Sequence, residues 1–177
     1  MIETKKLTAL AKKIRVLLLD IDGVMTDGKL YFSAQGDTLK TFNTQDGLGL
    51  KMLMASGIKV GIISGRTSDI VVRRAEDLGI SLLYQGQIKK LTAFEDCQKQ
   101  LNIPATQIAY MGDDINDLPV LNRVGLRVAP SNARPEVKKI VHYVTKQSGG
   151  DGAVRELCEL LLRSQNLLKQ AYQYYGA

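Results

Sequence analysis

No run of about 18 apolar residues occurs in this sequence, and no basic start leads into an apolar stretch. Neither a membrane span nor a secretory leader is therefore expected, and the expectation is a cytoplasmic protein with no membrane partner. Cysteine is scarce. Cys97 stands beside Phe94 and Leu101, and Cys158 continues the apolar stripe of Val154, Leu157 and Leu161, which points to buried thiols rather than a disulfide. The one histidine, His142, falls in a strand-like run and reads as structural. Tryptophan is absent, aromatics make up 6% of the chain, and none interleaves with the basic pairs Lys5-Lys6, Lys12-Lys13, Arg73-Arg74, Lys89-Lys90 and Lys138-Lys139. The net charge of +6 thus lacks the stacking platform of a nucleic-acid binder; a small anionic substrate or a basic surface accounts for it.

What is present is a hydrophobic content of 45% over 177 residues, with no low-complexity run, repeat or linker, which fits one globular domain over 1–177. Residues 1–13 read as a surface helix, with Leu7, Leu10 and Ala11 on one side and lysines on the other. Strands are expected from Val16 to the abrupt stop at Asp20, and at 58–63, 81–84, 108–111, 126–128 and 141–145. Helices are expected at 44–55, 69–78, 89–101, briefly through Leu118, and at 153–169. Two β-prone runs, 29–32 and 38–42, flank the loop 33–37 and form a hairpin flap over 29–43. Strands separated by helices at this spacing imply an α/β, Rossmann-like, doubly wound parallel sheet. The tail, 170–177, reads as a frayed terminus in preference to an arm that reaches a neighbouring site.

Ligands in such sheets bind beyond the carboxyl ends of the strands. Asp20 and Asp22 share a face just past the first strand, two like charges that repel unless a cation or an added proton relieves them. A D-x-D-G turn alone fits a polar loop equally well. Further along, a strand ends in Ser64 and Arg66, Lys90 starts a helix, and another strand ends in Asp113 and Asp114, followed by Asn116 and Asp117. Chance supplies one polar residue per strand end far more readily than this series.

The motifs D-I-D-G-V, S-G-R, the isolated Lys90 and G-D-D-I-N-D resemble the four motifs of the haloacid dehalogenase-like phosphatases. Longer strings extend the match from about residue 14 to 162: L-L-D-I-D-G-V-M-T-D-G, N-T-Q-D-G-L-G-L, I-I-S-G-R, L-Y-Q-G-Q, Y-M-G-D-D-I-N-D, Y-V-T and G-G-x-G-A-V-R-E. These resemble the members that hydrolyse an eight-carbon acid sugar phosphate for lipopolysaccharide synthesis. A phosphate monoester needs a nucleophile, charge neutralisation and a proton for the leaving oxygen. Asp20 suits the nucleophile and Asp22 the proton shuttle, Ser64 can donate to the phosphoryl oxygens, and Lys90 brings a fixed positive charge. Mg²⁺ is the fitting cation. By resemblance its ligands are the Asp20 carboxylate, the Asp22 main-chain carbonyl and Asp113, with Asn116 and Asp117 in support.

The resemblance further implies substrate contacts from Asp22, Asn43, Thr44, Gln45, Asp46, Gly47, Lys51, Arg66, Arg74, Lys90 and Asn116, and a homotetramer. Lys51 stands where close relatives are expected to carry an arginine; it keeps the charge and loses the fork. Asp151 occupies a position expected to vary or to be basic. From Asp20 to Ser64 is 44 positions, from Ser64 to Lys90 is 26 and from Lys90 to Asp113 is 23, which leaves no room for an inserted cap. An open site needs cover, and neighbouring subunits are expected to give it. Other readings stay in view: a nine-carbon acid sugar phosphate as substrate, a basic nucleic-acid module, and a phospho-signalling receiver. In a receiver the acidic pair ends the first strand and the phosphorylated aspartate follows a later one; the order here is the reverse.

Overall fold

The computed structural model describes residues 4–34 and 36–176. Six strands form one parallel sheet: β1 (Val16–Leu19), β4 (Lys59–Ile63), β5 (Leu82–Tyr84), β6 (Ile108–Met111), β7 (Leu126–Ala129) and β8 (Tyr143–Val144). Their order across the sheet is β5-β4-β1-β6-β7-β8. β1 therefore lies inside, paired with β4 on one side and β6 on the other. Its four apolar residues are all buried and alternate between layers: Leu17 and Leu19 join one hydrophobic cluster, Val16 and Leu18 the other.

The first cluster is covered by α1 (Thr4–Ala11), α2 (Thr44–Ala55), α3 (Asp69–Leu78), α7 (Ala153–Ser164) and α8 (Leu168–Tyr174). The second lies under α4 (Lys90–Leu101), α5 (Leu118–Leu121) and α6 (Pro135–Lys138). The doubly wound α/β expectation is met. α2 packs along α7, and Gly49 explains how closely: a Cβ there would stand 2.9 Å from Arg155 Cδ and 3.3 Å from Cys158 Cβ. Cys97 and Cys158 are both buried free thiols, as expected.

A two-stranded antiparallel hairpin, β2 (Tyr31–Ser33) and β3 (Gly36–Leu39), stands apart from the main sheet. It is shorter than the expected runs because the chain turns inward at Lys40 to bury that side chain. Residue 35 of its expected loop lies outside the described residues, as do residues 1–3 of the expected first helix and residue 177 of the tail. β8 is likewise shorter than the expected 141–145, and α6, opened by Pro135 at its first turn, was not expected.

Two expectations at the C-terminus are corrected. The helix 153–169 breaks where Asn166 takes a left-handed φ of 60°, and Leu167 N–H bonds back to Leu162 C=O at 2.8 Å. The chain then reverses into α8. The tail through residue 176 is therefore not frayed: Ala171 is buried, and Tyr172 donates to Glu159 Oε1 at 3.2 Å.

Candidate active site

Asp20 follows β1 and still follows the sheet, its N–H bonding Met111 C=O at 3.1 Å. Immediately afterwards the Ile21 carbonyl accepts the N–H groups of Val24, Met25 and Thr26, so the chain coils back over the strand end. Gly23, at φ 88°, permits this turn, and a Cβ there would collide with the Asp113 carboxylate. The turn brings Asp20, Asp22, Ser64, Arg66, Asp113 and Asn116 to the wall of one pocket of about 290 Å³ at the carboxyl edge of the sheet. These six come from three separate strand ends, as the sequence implied.

Beneath the pocket lies Lys90, the first residue of α4, with its side chain wholly buried. Its Nζ stands 2.8 Å from Asp20 Oδ1 and 2.7 Å from Asp117 Oδ1. Burial works against the ammonium, yet the two carboxylates outweigh it and hold its pKa above the ordinary lysine value. Asp117 is a hub. Its Oδ1 accepts from Lys90 and from the Tyr110 hydroxyl at 2.6 Å, and its Oδ2 accepts the N–H groups of Asp113 at 2.9 Å and Asp114 at 3.2 Å. All its acceptor positions are in use, so it shapes the turn rather than offering a metal ligand.

The carboxylate oxygens of Asp20, Asp113 and Asp117 lie within 4.8 Å of one another. Burial, reinforced by Asp117, pushes Asp20 up to about 7, against the pull of Lys90. Burial and then Asp20 push Asp113 up to about 7 as well. One ammonium among three carboxylates leaves a deficit of positive charge that a divalent cation on Asp20 and Asp113 would meet, so the donor set fits Mg²⁺. Ser64, at the end of β4, is 2% exposed; its Oγ accepts the Arg66 N–H at 3.3 Å and keeps its own proton to donate.

Other expected residues stand apart from this pocket. Asn43 caps α2, its Oδ1 accepting from the N–H of Gln45 at 2.7 Å and of Asp46 at 3.3 Å. With Thr44 and Gln45 it lines a separate groove of about 720 Å³ between the starts of α2 and α7, where Asp151 also lies. Asp46 is buried and accepts the Arg155 N–H at 2.7 Å. Gly47 gives way to Arg74, whose Nη2 reaches Asn43 C=O at 3.4 Å and whose guanidinium covers the Phe42 ring at 5.3 Å. Lys51 is exposed on α2. His142 is structural, packed with Arg127, whose backbone N–H lies 3.2 Å from Nδ1.

Three residues carry weight that the sequence did not disclose. Tyr110 is fully buried with its hydroxyl on Asp117; its only signal is a phenol within a buried apolar run. Asn132 bridges the Gly23 carbonyl, at 3.0 Å, and the Gly149 N–H, at 2.6 Å, and so clamps the turn after Asp22. Lys40 is buried against Asp22, although a lysine after a hairpin strand reads as solvated.

Comparison with known proteins agrees with this geometry. The family described as haloacid dehalogenase-like hydrolase matches residues 77–157. The 3-deoxy-D-manno-octulosonate 8-phosphate phosphatase of Escherichia coli K12 is 47% identical over 163 residues, covering 92% of this chain and 87% of its own. The crystal structure of the Yersinia pestis phosphatase of the same name superposes with a TM-score of 0.91 at 46% identity, covering 93% of this chain and 89% of that one. The Moraxella catarrhalis phosphatase, solved with magnesium, phosphate and 3-deoxy-D-manno-octulosonate (KDO), gives 0.94 at 39% identity, covering 98% and 99%. On this identity and coverage, the chain belongs to the haloacid dehalogenase-like hydrolases, in the family of the 3-deoxy-D-manno-octulosonate 8-phosphate phosphatases.

Proposed function

We propose that this protein is a Mg²⁺-dependent phosphomonoesterase that hydrolyses 3-deoxy-D-manno-octulosonate 8-phosphate to the free acid sugar and phosphate, a step of lipopolysaccharide synthesis. The observation that carries the reading is the meeting of Asp20, Lys90, Asp113 and Ser64 at one sheet edge, in a chain 47% identical to an enzyme of that name. Asp20 attacks phosphorus, and the sugar oxygen leaves in line, taking its proton from Asp22. Water, deprotonated by Asp22, then opens the aspartyl-phosphate. Lys90 holds the Asp20 carboxylate in place and neutralises charge beside it, while the Ser64 hydroxyl donates to a phosphoryl oxygen. Mg²⁺ on Asp20, Asp113 and the Asp22 main-chain carbonyl would supply the remaining neutralisation of phosphate charge. Asn116 and Arg66 face the substrate, and the Arg66 fork suits its carboxylate.

The reading extends to a homotetramer in the cytoplasm whose copies close one another's open pockets. Asn43, Thr44, Gln45, Lys51 and Arg74 would then bind substrate from across an interface, while Asp46 and Gly47, expected to do the same, are buried and instead shape the start of α2. Their position outside their own chain's pocket, and the exposed apolar hairpin, support this. The test is kcat/KM with Mg²⁺ on the eight-carbon and nine-carbon acid sugar phosphates and on a hexose phosphate. The eight-carbon substrate should lead by about tenfold or more, since discrimination of that size needs only one good polar contact. Equal values on all three would leave only a generic phosphatase.

A further inference from the structure

Lys40 belongs to none of the motifs that bear the chemistry. It leaves β3 and turns inward, and its side chain is 2% exposed, whereas Lys29 at the hairpin's other foot stays in water. Its Nζ stands 2.5 Å from Asp22 Oδ1 and 3.6 Å from Asp37 Oδ2. The second oxygen of Asp22 faces Arg66, whose Nε is 3.8 Å away and whose Nη2 reaches Asp37 Oδ1 at 3.3 Å. Two carboxylates and two cations thus tie the root of the hairpin to the turn after β1 and the end of β4.

Taking a lysine out of water is costly, and only close opposite charge repays it. Of the two carboxyl groups in this tie, Asp22 is the one assigned to moving a proton. A proton-transfer group must hold one attitude toward both the leaving oxygen and the attacking water. Arg66 is a weak holder for it, at a longer distance, 40% exposed and turned toward the substrate side. Lys40 is close and buried, where water cannot take its place.

We propose that Lys40 is a positioning residue: bridging Asp22 and Asp37, it holds the Asp22 carboxyl in the attitude for proton transfer and couples that attitude to the seat of the hairpin. The inference rests on the assignment of Asp22 as proton donor. The test compares first-turnover release of the leaving group from the sugar 8-phosphate and from p-nitrophenyl phosphate, using the full chain with Mg²⁺. The p-nitrophenolate leaves without a proton; a sugar alkoxide cannot. Lys40→Met should slow release from the sugar phosphate about 30-fold or more, with KM and p-nitrophenolate release changed less than about threefold. Equal losses on both substrates, or a loss confined to KM, would overturn the proposal. Asp22→Asn is run beside it: if that variant shows no such split, the assignment of Asp22 fails, whereas a split there with none in Lys40→Met sinks Lys40 alone. Should Lys40→Met prove unfolded by circular dichroism, Asp37→Asn, which removes the second anchor of Lys40, must show a smaller split in the same direction. Its absence would equally overturn the proposal.

Discussion

Asp20 and Asp113 sit at about 7 for a shared reason, burial first and then the charge of neighbouring carboxylates. Both are ordinary carboxyls in the unfolded chain, so the metal-free folded form binds protons that the unfolded form has released. The sign follows. Their contribution to stability is fullest below about pH 4 and is lost as pH rises toward 7. Asp46, pushed up by burial, acts in the same direction. With the metal chelated, the melting temperature should fall between about pH 5.5 and pH 8. Saturating Mg²⁺ should restore it far more at the upper pH, where no proton competes for the same oxygens. Thermal scans in chelator and in Mg²⁺ check this, and a Mg²⁺ effect equal at both pH values would refute it. The sequence made Asp20, Asp22 and Asp113 legible because they recur in order with Ser64 and Lys90 at successive strand ends, a series that chance rarely supplies. It hid Tyr110 and Lys40, because a phenol in a buried run and a lysine after a strand look like ordinary core and ordinary surface.

The loop after β1 is the element on which the site turns, and it is held from outside. Asn132 grips the Gly23 carbonyl, and Gly150 N–H bonds Val24 C=O at 3.0 Å. The glycine run 149–152 reads in sequence as the approach to a helix; in the structure it is a clamp. A Cβ on Gly149 would strike the Gly23 carbonyl, and one on Gly150 would lie 2.6 Å from Asp27 N. Gly149→Ala should cost about 2 kcal/mol or more in urea unfolding and lower kcat, because the clash moves the backbone beside Asp22. An unchanged midpoint would show that the loop yields freely. Helix limits were legible wherever a glycine closes them, as Gly79 does at α3. The break at Asn166 was not, because Leu167 and Leu168 continue the apolar stripe across it.

At the scale of the molecule, the parallel doubly wound sheet and the absence of an inserted cap followed from strand and motif spacing; the order of the strands across the sheet did not, because it depends on pairings between distant segments. Among the described residues no helix is long and apolar enough to cross a membrane. The hairpin exposes Leu30 at 47%, Phe32 at 62% and Leu39 at 52%, on a part of the fold that adds nothing to its own core. An apolar surface of this kind suits the contact between chains proposed above. Replacing Phe32 and Leu39 with serine should leave the fold intact by circular dichroism. Sedimentation should then show smaller species, and kcat/KM should fall by about tenfold or more as the pockets lose their cover. Unchanged sedimentation would place the proposed contact elsewhere.

The central position of β1 has a consequence in time. Its first residue, Val16, pairs with Ile108, so the two halves of the pocket are brought together only after a long stretch of chain has been made and folded. Pairings this remote close slowly, because the loop entropy is lost before the contact repays it. A nascent chain stopped before β6 holds Asp20 with neither Asp113 nor Asp117 beside it. Recovery of activity on refolding therefore reports the docking of β1 against β6, and should lag behind the return of helical signal.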